Sequence, residues 1–132
     1  VVLTVACGFS VVTSFSVLLT RDTGTYREAE EATEILRRFL RPRDRIIAAI
    51  PTNGPLEYYL HRAGIDRAQL YFDDRLAERA IGIVDFAEGQ SLQALMSQSF
   101  VRDTLVWGKP VVAAQLPASV IVLFSRKNAA TQ

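Results

Sequence analysis

With 132 residues, 49% of them hydrophobic and 22% charged, the chain has material for one domain with a real core, too little for two, and too much apolar content for disorder. A formal net charge of +1 argues against nucleic acid as the main partner, since phosphate binding needs a concentrated basic surface. One cysteine, Cys7, and one histidine, His61, exclude an intrachain disulfide and any Cys- or His-rich metal site.

The opening stretch, Val1 to Thr20, carries no charge. As a helix it would span about 30 Å, the thickness of a bilayer's hydrocarbon core. Its Ser and Thr hydroxyls can bond back to the i−4 carbonyl, so lipid tolerates them. Three readings are open: a membrane helix, a pair of core strands turning near Gly8 or Ser10, and the remnant of a signal peptide. The membrane helix is taken forward. The chain starts with Val, so a processed product or a piece of a longer protein is expected.

Beyond residue 20 helix and strand patterns alternate. Thr25 and Glu28 have the spacing of a capping box. Behind them Ala29, Ala32, Thr33, Leu36, Phe39 and Leu40 recur at helical steps, Arg37, Arg38 and Arg41 gather at the helix's negative end, and Pro42 stops it. "RIIAAI" (45–50) predicts a buried strand, "PTNGP" a loop, and "LEYYLHRAG" a helix closed by Gly64. A second strand is expected in "QLYF" (69–72), a helix in "DDRLAERA" (73–80), a third strand in "IGIVDF" (81–86), and a helix in "SLQALMSQ" capped by Ser91. "PVVAAQL" and "SVIVLFSR" are separated by Pro117 and Ala118 alone, which forces an antiparallel hairpin. The expected fold is therefore α/β: a small three-layer sandwich, mainly parallel, with an antiparallel C-terminal hairpin at one edge. Residues 1–20 form the apolar segment, 21–127 the domain, and 128–132 a frayed tail.

In such a sheet ligands sit off the carboxyl ends of the strands. Thr52, Asn53 and Gly54 in one loop and Asp85 in the other are accordingly the candidate ligand-binding residues, with backbone amides at the helix start available to an anion. The competing reading makes Asn53 a helix cap and Gly54-Pro55 a turn. Asp85 and Glu88 could pair as carboxylates, although an acid before a helix start is commonly a cap. Neither a GxGxxG nor a Walker pattern is present, so no cofactor is expected. No nucleophile has a base nearby in the sequence, and His61 belongs to a solvated helix face. The run "RRFLRPRDR" makes Arg37, Arg38 and Arg41 candidates for lipid headgroups, with Tyr58, Tyr59 and Trp107 as candidate interface aromatics.

The order of these features resembles the C-terminal end of bacterial multi-span glycosyltransferases of the protein O-mannosyltransferase and aminoarabinose-transferase superfamily. The points of contact are the D-T-G-x-Y entry ending at Tyr26, "LRPRDRI" before the first strand, and "PLEYYLHRAGI" after it. The resemblance implies a last membrane helix followed by a small extracytoplasmic (periplasmic) α/β domain of an inner-membrane enzyme that uses polyprenyl-phosphate sugars. Its partners would be membrane lipid and the upstream transmembrane portion of the same protein. Catalysis in that superfamily is implied to depend on an acidic residue in an early loop that nothing in 1–132 matches, so no catalytic residue is carried over. The alternative is a self-contained soluble α/β module that binds a small ligand, with residues 1–20 as core strands.

Overall fold

A computed structural model describes residues 26–70 and 77–127. The apolar segment, residues 21–25, the second half of "QLYF" (71–72), the first half of the expected 73–80 helix (73–76) and the tail lie outside the described residues. Helix α1 (Ala29–Phe39) forms where the apolar periodicity put it, with Ala29, Ala32, Thr33 and Leu36 buried and Arg37 and Arg38 in its last turn. It stops where Leu40 turns extended (φ −64°, ψ 133°), two residues before Pro42, which could not have continued it. Glu28 occupies the N-cap but makes no side-chain cap bond. Its carboxylate instead accepts from the Ala118 amide at 2.8 Å and from the Ser119 hydroxyl. The expected capping role thus gives way to a long-range clamp on the C-terminal hairpin.

Among the described residues, four strands build one mixed sheet: β1 (Asp44–Ala48), β2 (Arg79–Asp85), β3 (Val111–Gln115) and β4 (Ser119–Ser125), in the order β1-β2-β4-β3. Of these four, β1 and β2 run parallel, while β2 with β4 and β3 with β4 are antiparallel. The hairpin is as expected, closed across Pro117-Ala118 by the Leu116 amide donating to the Ser119 carbonyl at 2.9 Å. The parallel succession is corrected in two places. "QLYF" begins in a 3-10 turn, Arg67–Gln69, because Asp66 caps it through the Ala68 amide (2.9 Å) and the Gln69 amide group donates to the Arg41 carbonyl (2.7 Å). The end of "DDRLAERA" is strand rather than helix, because Arg79 is drawn into register opposite Asp44.

Helix α2 (Asn53–Arg62) ends as its sequence reads. Gly64 takes φ +74°, and the amides of Gly64 and Ile65 donate to His61 and Leu60, the paired bonds of a Schellman motif. Helix α3 (Leu92–Gln98) begins at Ser91, whose hydroxyl accepts from the Ala94 amide. The central strands are buried on both faces, and their residues alternate between two apolar clusters. Ile46, Ile81, Ile83 and Ile121 pack with Leu36, Leu56 and Leu60 of α1 and α2. Ile47, Ala80, Val84, Val122 and Phe124 pack with Leu95 of α3 and with Trp107. Trp107 is buried against Phe100, which removes it from the candidate interface aromatics.

The lower end of the sheet, where β1 and β2 begin, is closed by an ion pair. Asp44, 1% exposed, receives the Arg79 fork through Nε at 2.9 Å and through Nη2, and also the Arg41 amide at 2.8 Å. Arg79 Nη2 donates further to the Phe39 carbonyl at 2.9 Å.

Replacing Asp44 by Asn leaves the Arg79 guanidinium partly buried without its counter-charge, and is expected to lower unfolding stability by about 3 kcal/mol or more, read as a shift of the urea midpoint at unchanged slope. At Gly82 a Cβ would stand 2.8 Å from Leu95 Cδ2, 3.0 Å from Val122 Cγ2 and 3.2 Å from Phe124 Cε2. Gly82→Val is therefore expected to lift α3 off the sheet and lower the thermal midpoint, at a cost of about 1–3 kcal/mol, with Gly82→Ala less costly.

Candidate functional site

Parallel pairing of β1 and β2 brings the loops that leave them together, and the bridge between those loops is Gln90. Its Nε2 donates to Thr52 Oγ1 at 2.7 Å, its Oε1 accepts from the Asp85 amide at 3.1 Å, and its own amide donates to the Asp85 carbonyl at 3.1 Å. Thr52 and Asp85, both buried, are thus parts of one cluster, as their places in the chain implied. Asp85 Oδ1 accepts from the Ala87 amide at 3.0 Å and caps the 3-10 turn Phe86–Glu88. Glu88 stands exposed on that turn while Asp85 is buried, so the two carboxylates have unlike surroundings.

The first turn of α2 does not hold out its amides. Asn53 donates to the Ala49 carbonyl at 3.1 Å, Gly54 to the Pro51 carbonyl at 3.4 Å, and Pro55 has no N–H to give. Nor is Asn53 the cap: it is the first helical residue, and Thr52 sits at the N-cap without a side-chain cap bond. The one histidine, His61, is exposed on α2, the solvated face expected of it.

Next to Asp85 lies a second cluster that sequence reasoning missed. Ser119 faces Asp85 across the β2–β4 ladder. Its hydroxyl donates to Glu28 and lies 3.1 Å from the Tyr26 hydroxyl. A serine beside a carboxylate resembles a nucleophile with its base, yet Ser119 is fully buried and Glu28's other oxygen is held by the Ala118 amide. The arrangement fastens the start of α1 to the hairpin and leaves a substrate no approach to Ser119. Burial pushes the Tyr26 hydroxyl up to about 12; the bond to Ser119 acts against this rise, and the negative charge of Glu28 adds to it. At neutral pH Tyr26 keeps its proton and serves as a structural hydrogen-bonding group. The Tyr26–Ser119 and Gln90–Thr52 contacts carry no local signal, because the partners lie 93 and 38 positions apart.

The arginines gather at the opposite, lower end. Arg37 and Arg41, together with Arg45 and Asp66, line an open cleft of about 440 Å³. Arg37 makes an exposed pair with Glu34 at 3.4 Å, and Arg43 pairs with Glu78 at 2.9 Å. Arg38 is exposed on the same turn of α1. Tyr58 is exposed and meets the half-buried Tyr59 edge-on, with ring centroids 5.2 Å apart. Among the described residues, no three metal-ligating side chains of the His, Cys, Asp and Glu types come together.

Set against protein-family models, curated proteins and solved structures, the chain matches none.

The Tyr26 phenol ionises near 10 in the unfolded chain and near 12 in the folded one. Its contribution to stability is complete below pH 10 and is lost as the pH rises through 12. One phenol absorbing at 295 nm is expected to titrate later than an ordinary tyrosine, and Tyr26→Phe to abolish that late step. A late step that survives in Tyr26→Phe would count against the assignment.

Proposed function

We propose that this chain is the C-terminal part of an integral-membrane glycosyltransferase that uses a lipid-linked sugar donor, with residues 21–127 forming a non-catalytic accessory domain. On this reading Val1–Thr20 is the last membrane helix, the domain stands on the extracytoplasmic side of the inner membrane, and transfer itself belongs to upstream portions of the same protein.

One observation supports it above the others. The residues in the three stretches that resemble the superfamily are those that anchor this fold. Tyr26, closing the D-T-G-x-Y entry, is the buried partner of Ser119. Asp44, in "LRPRDRI", receives the Arg79 fork. Leu56, Leu60 and Gly64, in "PLEYYLHRAGI", supply the packed face and the left-handed end of α2. Motifs of this kind mark a type of domain, and they leave the chemistry elsewhere. The polar groups at the upper end point the same way, since Thr52, Asp85, Gln90 and Ser119 are engaged in holding loops together. The reading calls for a three-layer sandwich, and two apolar clusters on opposite faces of the sheet favour it.

An antibody raised against residues 26–127 is expected to detect, in membranes of the native source, a band far larger than 14.7 kDa that detergent releases and high salt does not. Deleting residues 26–132 from that protein is expected to reduce sugar transfer from a polyprenyl-phosphate donor. A soluble band near 14.7 kDa would replace this reading with the self-contained binding module. Unchanged transfer after the deletion would remove the accessory role.

A further inference from the structure

We propose that the end of the domain where β1 and β2 finish faces the lipid bilayer, with Ile50 and Phe86 seated at the lipid–water boundary. This rests on the reading of Val1–Thr20 as a membrane span.

Four loops and ends meet there. Because β1 and β2 are parallel, Ile50 and Phe86, just past their last residues, project from the same end of the sheet. β4 starts at that end, opposite Asp85, and the Phe86 amide donates to the Ala118 carbonyl of the hairpin turn at 2.8 Å. Tyr26 and Glu28 are fastened to the same turn through Ser119 and Ala118. The chain therefore enters the domain at this end.

Ile50 is 83% exposed and Phe86 51% exposed. Single exposed apolar residues are ordinary on a protein surface. What sets these two apart is the scaffold beneath them and the segment that precedes them. Phe86 rides on the 3-10 turn that Asp85 caps, and Ile50 lies between the Ala49 and Pro51 carbonyls that the start of α2 uses. Between Thr20 and Tyr26 there are only residues 21–25. Six residue steps reach roughly 20 Å at full extension, so this end stays within that distance of the uncharged segment's last residue.

The opposite end exposes apolar side chains too, Leu105 and Val111 among them, but it differs in its charges and in its distance from the uncharged segment. Helix α1, eleven residues long, carries the chain about 16 Å away, to exposed Arg37, Arg38, Arg41 and Arg43. Guanidinium groups are costly to take out of water, whereas isoleucine and phenylalanine side chains lose nothing by leaving it. At the upper end the exposed charges are Arg27, Glu30 and Glu31 around the start of α1 and Glu88 on the turn that carries Phe86, while Asp85 is buried and Glu28 is tied into the hairpin. The domain thus stands on its apolar loop tips, with Arg37, Arg38 and Arg41 turned toward water rather than toward headgroups.

The test uses the full chain with Cys7→Ser and one new cysteine at a time, Ile50→Cys, Phe86→Cys or Arg43→Cys, each carrying an environment-sensitive fluorophore. All three sites are exposed, so labelling leaves the core intact. The chains are reconstituted with zwitterionic phosphatidylcholine vesicles that contain a brominated lipid. Flotation reports the span; quenching reports which end meets lipid. Labels at 50 and 86 are expected to be quenched several-fold more strongly than the label at 43. Floating chains with equal quenching at all three sites, or with the label at 43 quenched most, overturn the proposal and leave the membrane span standing. Labels at 50 and 86 that are shielded from water yet unquenched by lipid also overturn it, because a second copy of the chain would then cover this end. Chains that fail to float overturn the span itself, and the surface with it.

Discussion

The Asp44 carboxylate is the group on which the arrangement of the domain depends. It gathers three N–H donors, two from the Arg79 side chain and one from the Arg41 backbone, at a point where it is almost wholly removed from water. Through Arg79 the same group reaches the last turn of α1, since the guanidinium also donates to the Phe39 carbonyl. A helix end, the Pro42 turn and the first rung of the parallel ladder are thereby joined. The Arg79 guanidinium is held protonated even more firmly than usual, first by its hydrogen bonds to Asp44, with burial working the other way. Taking both charges out of water is costly, so the pair contributes more to which partner is chosen than to net stability. A slip of one residue between β1 and β2 would separate Asp44 from Arg79 and turn every apolar side chain to the wrong face.

A second polar clamp sits at the other end of α1. Glu28 and Tyr26 hold the Pro117–Ser119 corner, so the helix is fastened at its start to the end of the sheet and at its finish to the beginning of the sheet. The two clamps fix its direction, leaving apolar packing to fix its depth. The stripe of Ala29, Ala32 and Leu36 has small residues in its first turns, which lets α1 lie close to Ile83 and Ile121 in a shared cluster. On the other face Gly82 performs the same service for Leu95. Close approach on both sides of β2 leaves that strand little room for larger side chains.

These clamps also explain the character of the upper end. Polar residues collect there in a number that resembles a binding site. Thr52, Gln90 and Asp85 join the two loops, and Ser119, Glu28 and Tyr26 join the hairpin to the helix. What remains exposed around them includes Ile50 and Phe86. A rigid end that combines satisfied polar groups with protruding apolar tips is suited to resting against another phase or partner, and ill suited to moving protons.

Much of this was legible in the chain itself. The helical period of Ala29, Ala32 and Leu36, the Gly64 terminus, the Ser91 cap, and the two-residue Pro117-Ala118 corner each depend on interactions within a few positions, so local spacing determined them. The meeting of Thr52 with Asp85 was readable too, because parallel strands deliver their following loops to one end. Tertiary structure decided the rest. Arg79 joined a strand instead of closing a helix because Asp44, 35 positions earlier, offered a buried counter-charge. Glu28 stands at the N-cap of its helix, yet its carboxylate bonds the hairpin amide 90 positions away in place of a cap bond. Hydrogen bonds and ion pairs of that reach have no period and leave no local pattern, so a sequence displays the donors and acceptors while only the fold decides which of them meet.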